Sequence, residues 1–202
     1  MKRFFLTLVL CGFVGAMFAQ GAKFGITAGL NTSNILFKTG SVSISPDWKP
    51  GIQGGVFMDL GLSSNLSLIP ELLFAQRGAK MNDKRISTES NTLTLNYLQL
   101  PINLAYKFDV SYGQKLFPFA GIYLGYGISG TNKSGSVSDK VTFGSTVDDV
   151  KALDYGANFG VGYQFEHFIF KVQYNLGLAN LSNESNFTRK NKNVAVTVGY
   201  MF

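Results

Sequence analysis

Cysteine is almost absent from this chain. The one cysteine, Cys11, lies in an apolar leader, so the residues after it form no disulfide and offer no thiol nucleophile. Histidine occurs once, at position 167, which removes most metal sites and most acid–base chemistry from consideration. Charge is sparse at 15% of residues, less than a soluble all-β domain usually carries on its exposed faces. Beyond the leader no apolar run approaches the roughly 18 residues of a spanning helix, so the sequence contains no transmembrane helix.

What is present begins with that leader. Lys2 and Arg3 precede an apolar run from Phe4 to Phe18, and small Ala19 follows. This is the layout of a cleavable signal peptide, with cleavage expected after Ala19. Leu8-Val9-Leu10-Cys11 loosely resembles a lipobox, but Leu10 is bulky where a small residue belongs and the apolar run continues past Cys11. Residues 1–19 are therefore expected to be removed and residues 20–202 to fold as one domain.

Apolar residues alternate with polar or small ones through nearly all of residues 20–202, the period of β-strands with two unlike faces. Phe24, Ile26, Ala28 and Leu30 share one face of the first strand, with Gly25, Thr27, Gly29 and Asn31 opposite. The same pattern returns around Ile52–Leu60, Leu66–Phe74, Leu98–Phe108, Ala120–Ile128, Leu153–Phe165, Phe168–Leu178 and Val194–Phe202. Leu93, Leu95 and Tyr97 run in the opposite phase to Leu98 and Leu100, which predicts a β-bulge near Tyr97. Eight strands result, most long enough to cross a bilayer when tilted.

The connections at about 61–65, 109–115 and 166–167 are short, whereas those at about 32–49, 78–91, 130–150 and 179–192 are long and polar. Short periplasmic turns alternating with long outer loops predict an all-β fold: an eight-stranded antiparallel transmembrane β-barrel with both termini in the periplasm. A soluble lipocalin also alternates, but it turns its charged side to water. Here the polar face is mostly Gly, Asn, Gln, Ser and Thr, which suits a narrow lumen. The apolar face gathers Phe24, Phe108, Phe165, Phe168 and Phe202 at the turn-side ends, like an interfacial girdle. Pro70, Pro101 and Pro118 fall inside these strands, and each removes a ladder donor.

Pro70-Glu71-Leu72-Leu73-Phe74-Ala75-Gln76-Arg77-Gly78, Leu95-Asn96-Tyr97-Leu98-Gln99-Leu100-Pro101 and Pro118-Phe119-Ala120-Gly121-Ile122-Tyr123-Leu124-Gly125 occur in that order. With Tyr174-Asn175-Leu176-Gly177-Leu178 and the aromatic C-terminus, they resemble the porin-family, PorT-like outer-membrane β-barrel domain of Bacteroidota. The resemblance implies an outer-membrane barrel of a Gram-negative cell envelope and carries over no catalytic residue or cofactor. The family often has an acidic residue where this chain has Gln99.

Gly125-x-Gly127-x-x-Gly130 matches a dinucleotide fingerprint literally, but Thr131-Asn132-Lys133-Ser134 continues it as a loop where the fingerprint needs a helix. His167 sits in a two-residue turn without companions for a triad or a metal. No enzyme activity, cofactor, metal or nucleic acid is expected. Six charges fall on the lumen face: Arg77, Lys107 and Lys171 against Asp59, Glu71 and Asp154, a balanced set expected to pair. The net positive excess lies in the outer loops, where Lys84, Arg85, Arg189, Lys190 and Lys192 are candidate contacts for lipopolysaccharide phosphates. Tyr200 and Phe202 resemble the C-terminal signal by which the barrel assembly machinery recognises its substrates. The expected function is a non-enzymatic barrel with a side-chain-filled lumen and loops acting in surface stability, adhesion or partner docking. The alternative is a narrow porin-like transport channel.

Overall fold

The computed structural model of the protein describes residues 21–39, 42–81, 91–146, 149–184 and 186–202. The expected leader, Lys84 and Arg85 lie outside the described residues. The strands are β1 (Lys23–Thr39), β2 (Val42–Ile44), β3 (Lys49–Gly61), β4 (Leu66–Met81), β5 (Asn91–Tyr106), β6 (Phe108–Ser111), β7 (Gln114–Ser134), β8 (Val137–Lys140), β9 (Leu153–Phe165), β10 (Phe168–Gly177) and β11 (Phe187–Met201).

Eight of these, β1, β3, β4, β5, β7, β9, β10 and β11, pair antiparallel with their neighbours, and β11 pairs back with β1. The ring is closed. It is the eight-stranded antiparallel barrel that the alternation predicts. Its stagger follows from the register. Leu60 on β3 leads through Leu68, Leu104, Ala120, Phe159, Tyr174, Val194 and Thr32 back to β3 at Pro50. One circuit thus shifts the register by 60 − 50 = 10 residues. At 3.3 Å rise and 4.8 Å strand spacing, eight strands with that shift tilt by about 41° on a backbone radius of about 8 Å. Side chains nearly fill such an interior.

The outward face is apolar all round: Ile26, Leu30, Ile52, Val56, Leu72, Leu98, Leu100, Ile122, Leu124, Phe159, Val172 and Val196 are exposed, and the alternate, inward-facing positions are buried or half-buried. Phe168 to Leu178, along β10 and the residue after it, covers about 25 Å of axis at this rise and tilt, the height of a lipid-facing band.

Pro70, Pro101 and Pro118 each mark a gap in the hydrogen-bonded ladder. The β3–β4 pairing stops between Phe57–Glu71 and Leu60–Leu68, beside Pro70. The β4–β5 pairing stops between Pro70–Ile102 and Leu73–Gln99, beside Pro101. Pro118 lies where β7 passes from β5 to β6. Ladder bonds on the other side of each strand keep the ring shut.

Three local expectations are corrected. The register does shift between Asn96 and Tyr97, but the extra residue belongs to β7, where Tyr97 opposes Gly127 and Asn96 opposes Ser129. Leu95 and Tyr97 therefore point inward in phase with Gln99. The turn expected at 109–115 shrinks to Tyr112-Gly113, because β6 continues the hairpin and Gly113 takes the left-handed φ of 70° that the tight turn requires. The loop ends also carry more strand than expected: β1 and β11 stay paired from Thr32–Val194 up to Thr39–Phe187.

Candidate functional site: the barrel interior

The inward positions form layers. At the turn end Lys107 is ion-paired with Asp59, and its Nζ lies 6.0 Å from the Phe117 ring centre. Above this pair Phe57, Ile69, Ala105, Phe117, Phe119, Ile169 and Met201 pack across the lumen as an apolar septum. A small cavity between the septum and Lys171, lined by Thr27, Phe57, Ile69, Phe117, Ile169 and Gly199, has barely the space of one water centre.

Glycines make room for this septum. Phe117 lies opposite Gly162, Phe119 opposite Gly160, Tyr123 opposite Gly156 and Phe57 opposite Gly25. A Cβ built on Gly25, Gly160 or Gly162 would overlap the facing ring. The lumen glycines are thus receptacles for aromatic rings from the neighbouring strand. The expectation that the inward face is mostly Gly, Asn, Gln, Ser and Thr misses these rings, which also point inward.

Next comes a polar layer. Lys171 Nζ lies 2.6 Å from each Glu71 carboxylate oxygen, and Asn103 Nδ2 donates to Glu71 Oε1 at 3.2 Å. Asn158 Nδ2 donates to Asn103 Oδ1. Glu71 is 2% exposed, so this pair exists without water to screen it. Higher up, Arg77 Nη2 donates to Gln99 Oε1 at 2.7 Å, and its guanidinium carbon lies 5.2 Å from the Tyr123 ring centre. The position at which the resembling family is often acidic thus serves here as a neutral acceptor. Asp154 accepts from Asn191 Nδ2 at 2.9 Å and from Tyr123 Oη at 3.4 Å.

The six lumen charges are accordingly brought together in different ways. Asp59–Lys107 and Glu71–Lys171 are direct ion pairs. Arg77 and Asp154 make no direct ion pair and are linked through Tyr123.

The loop end carries a second apolar layer. Ile35, Ala79, Leu95, Tyr97, Val150, Ala179 and Leu181 form a buried cluster, with Phe37, Leu93, Val141 and Phe143 packed on it. Phe143 meets Tyr97 edge-on at 6.0 Å and covers Gly127. Asn183 Nδ2 donates to the carbonyls of Gly144, Thr146 and Asp149 at 2.8–3.1 Å and holds the loop chain over the mouth. The three glycines of the apparent dinucleotide motif, Gly125, Gly127 and Gly130, face Asp154 and Tyr97, Phe143, and Leu95 and Val141. They are packing positions.

The remaining candidates sort by face. Arg189 lies over the rings of Phe37 and Phe187 at 5.9 and 5.2 Å, on the inward parity of β11. Lys190 and Lys192 share the outward parity with Val194 and Val196. Phe202 N–H donates to the Phe24 carbonyl at 2.8 Å, and its ring meets Tyr200, which in turn packs on Phe168. Among the described residues no three His, Cys, Asp or Glu side chains are grouped to hold a metal.

A family model described as the outer membrane protein beta-barrel domain matches residues 18–183. The chain belongs to that family. Its members are outer-membrane proteins, and the closed ring with its apolar exterior is the form such a protein takes in lipid. Comparison with curated proteins finds no match. Similar solved structures include Ail, the attachment invasion locus protein of Yersinia pestis, at 14% identity and TM-score 0.44, covering 90% of this chain and 99% of that one. Neisserial surface protein A is similar at 12% identity, TM-score 0.47 and the same coverage. A major outer membrane protein from Thermus thermophilus is similar at 13% identity and TM-score 0.49, again over 90% and 99%.

Proposed function

We propose that this outer-membrane barrel is a non-enzymatic, side-chain-filled scaffold whose outer loops serve surface stability, adhesion or partner docking. One observation carries the reading: two apolar layers, around Phe117 and around Tyr97, close the lumen at both ends of a charge-paired middle. Ions crossing such layers would shed water without replacement ligands. Proteoliposomes holding the refolded protein are expected not to swell in a small sugar, and swelling at rates typical of open porins would favour the narrow channel instead.

In this proposal residues 1–19 are a cleaved export signal and the long-loop end faces outside. Loop cations attract lipopolysaccharide, and Tyr200 and Phe202 present the assembly signal. The same reading takes the chain as PorT-like, on the resemblance of its ordered segments Pro70–Gly78, Leu95–Pro101 and Pro118–Gly125. Cysteines replacing Lys133 and Lys190 should label in intact cells, and one replacing His167 should not. Labelling at the His167 site alone would reverse the topology.

A further inference from the structure

The seam at which the barrel closes is unusually one-sided in charge. Strands β10, β11 and β1 contain Lys171, Arg189, Lys190, Lys192, Lys23 and Lys38, and no aspartate or glutamate. Two of these cations are engaged inside: Lys171 with Glu71, and Arg189 over Phe37 and Phe187. Lys23 lies at the turn end, paired across the ladder with Asp59. The other three are on the outer surface of the loop end.

Their positions follow from the register. Lys192 lies beside Asn34, Lys190 beside Leu36, and Lys38 beside Thr188. Positions two apart share a face, so Lys190 and Lys192 stand in one row directly above Val194, Val196 and Val198. Lys38 is the diagonal neighbour of Lys190, at about 7–8 Å between backbones. Among the described residues none of the three forms an ion pair. Neighbouring like charges on one face of a sheet repel each other. An anion seated between them would relieve that repulsion, and the row lies at the upper border of the lipid-facing band, where Lys192 is level in register with Leu176.

We infer that Lys38, Lys190 and Lys192 form a binding site for the phosphate groups of lipopolysaccharide in the outer leaflet. The ligand is a membrane lipid because these side chains leave the barrel sideways, just above valines in the acyl region, where a headgroup phosphate lies. Long aliphatic stems let the ammonium groups rise to the interface while covering apolar surface. This deepens the loop-charge reading and rests on the loop end facing outside. It also changes the ligand set, because Lys38 takes the place of Arg189, whose side chain is turned inward.

The test uses the full chain refolded in detergent, with purified lipopolysaccharide as probe and binding read as a shift in the heat-modifiable unfolding temperature. Wild-type binding should weaken with salt, since exposed charges are screened within about 10 Å at 0.1 M. Replacing all three lysines by glutamine should lower affinity on the order of 100-fold, and replacement by arginine should preserve it. A Lys133→Gln/Lys140→Gln control on the β7–β8 hairpin should bind within about twofold of wild type. If the triple glutamine variant fails to fold, Lys190→Gln alone carries the comparison. Wild-type affinity in the glutamine variant would overturn the site, as would equal binding of dephosphorylated lipopolysaccharide or of phosphatidylglycerol vesicles. Reversed cysteine labelling, with these bindings intact, would instead overturn the orientation alone.

Discussion

Replacing Glu71 by alanine is expected to destabilise the barrel by about 3–5 kcal/mol, the cost of leaving one member of a buried ion pair without its partner. Glu71 receives Lys171 on both carboxylate oxygens and Asn103 on one, so two donor groups lose three hydrogen bonds together. Asn158 then loses its ordered contact through Asn103. The Lys171 ammonium has the Phe57 ring 5.9 Å away and the apolar septum beneath it, which offers no replacement. Urea titration of the refolded protein, followed by the heat-modifiable band, measures the loss. Asp109→Ala is the control: its partner Lys115 is 3.1 Å away on the exposed β6–β7 hairpin, where an ion pair contributes about 0–1 kcal/mol. Equal effects of the two substitutions would mean that the lumen pair is solvated. The double variant Glu71→Ala/Lys171→Met should recover much of the loss, because it removes both charges.

Deleting Phe202 is expected to abolish most of the folded protein in the outer membrane while sparing much of the refolding yield in detergent. β11 closes the ring through fifteen residue pairs with β1, from Gly25–Met201 to Thr39–Phe187. An unclosed edge in lipid would strand backbone groups at several kcal/mol each. Phe202 itself lies just past the ladder. Its N–H bonds to the Phe24 carbonyl, and its ring is 70% exposed at the turn-end rim. Its loss therefore removes one hydrogen bond and one girdle aromatic from a ladder that otherwise persists. A large defect in cells beside a small one in detergent assigns Phe202 to recognition during assembly. Equal defects in both would leave it an anchor only, and normal membrane levels would remove the recognition role.

How far the fold was legible depends on which solvent each face meets. Lipid demands an apolar outward face, so the period-two pattern of β9, Leu153 through Phe165 against Asp154 through Gln164, fixes its strand and face without any partner. The interior obeys no such rule. Whether a lumen glycine is empty space or a seat for an aromatic ring depends on the residue opposite it. Gly156, Gly160 and Gly162 acquire meaning only when β7 is laid antiparallel against them and Tyr123, Phe119 and Phe117 fall into place. That mirrored spacing was readable, and it is the signal that could have revealed the septum. The charges were legible as a balanced set, yet their pairing was not: Arg77 and Asp154 meet through Tyr123, a residue whose inward parity was evident but whose reach was not. The cap at the loop end was beyond local pattern altogether. Phe143, Val150 and Leu181 come from segments without periodicity, and only their long-range packing on Leu95 and Tyr97 defines them.

The filled lumen is the claim from which the scaffold reading follows, and planar-bilayer conductance of the refolded wild type tests it most directly. The septum around Phe117 and Phe119 and the cap around Phe143 predict a bilayer that stays silent under applied voltage in molar salt, apart from rare brief transients. Removing both turn-end rings, as Phe117→Ala/Phe119→Ala, should raise transient activity without yielding a large stable pore, because the Glu71–Lys171 layer and the cap remain. Long-lived, ohmic, large-conductance steps from the wild-type protein would contradict the filled lumen and make the barrel a channel.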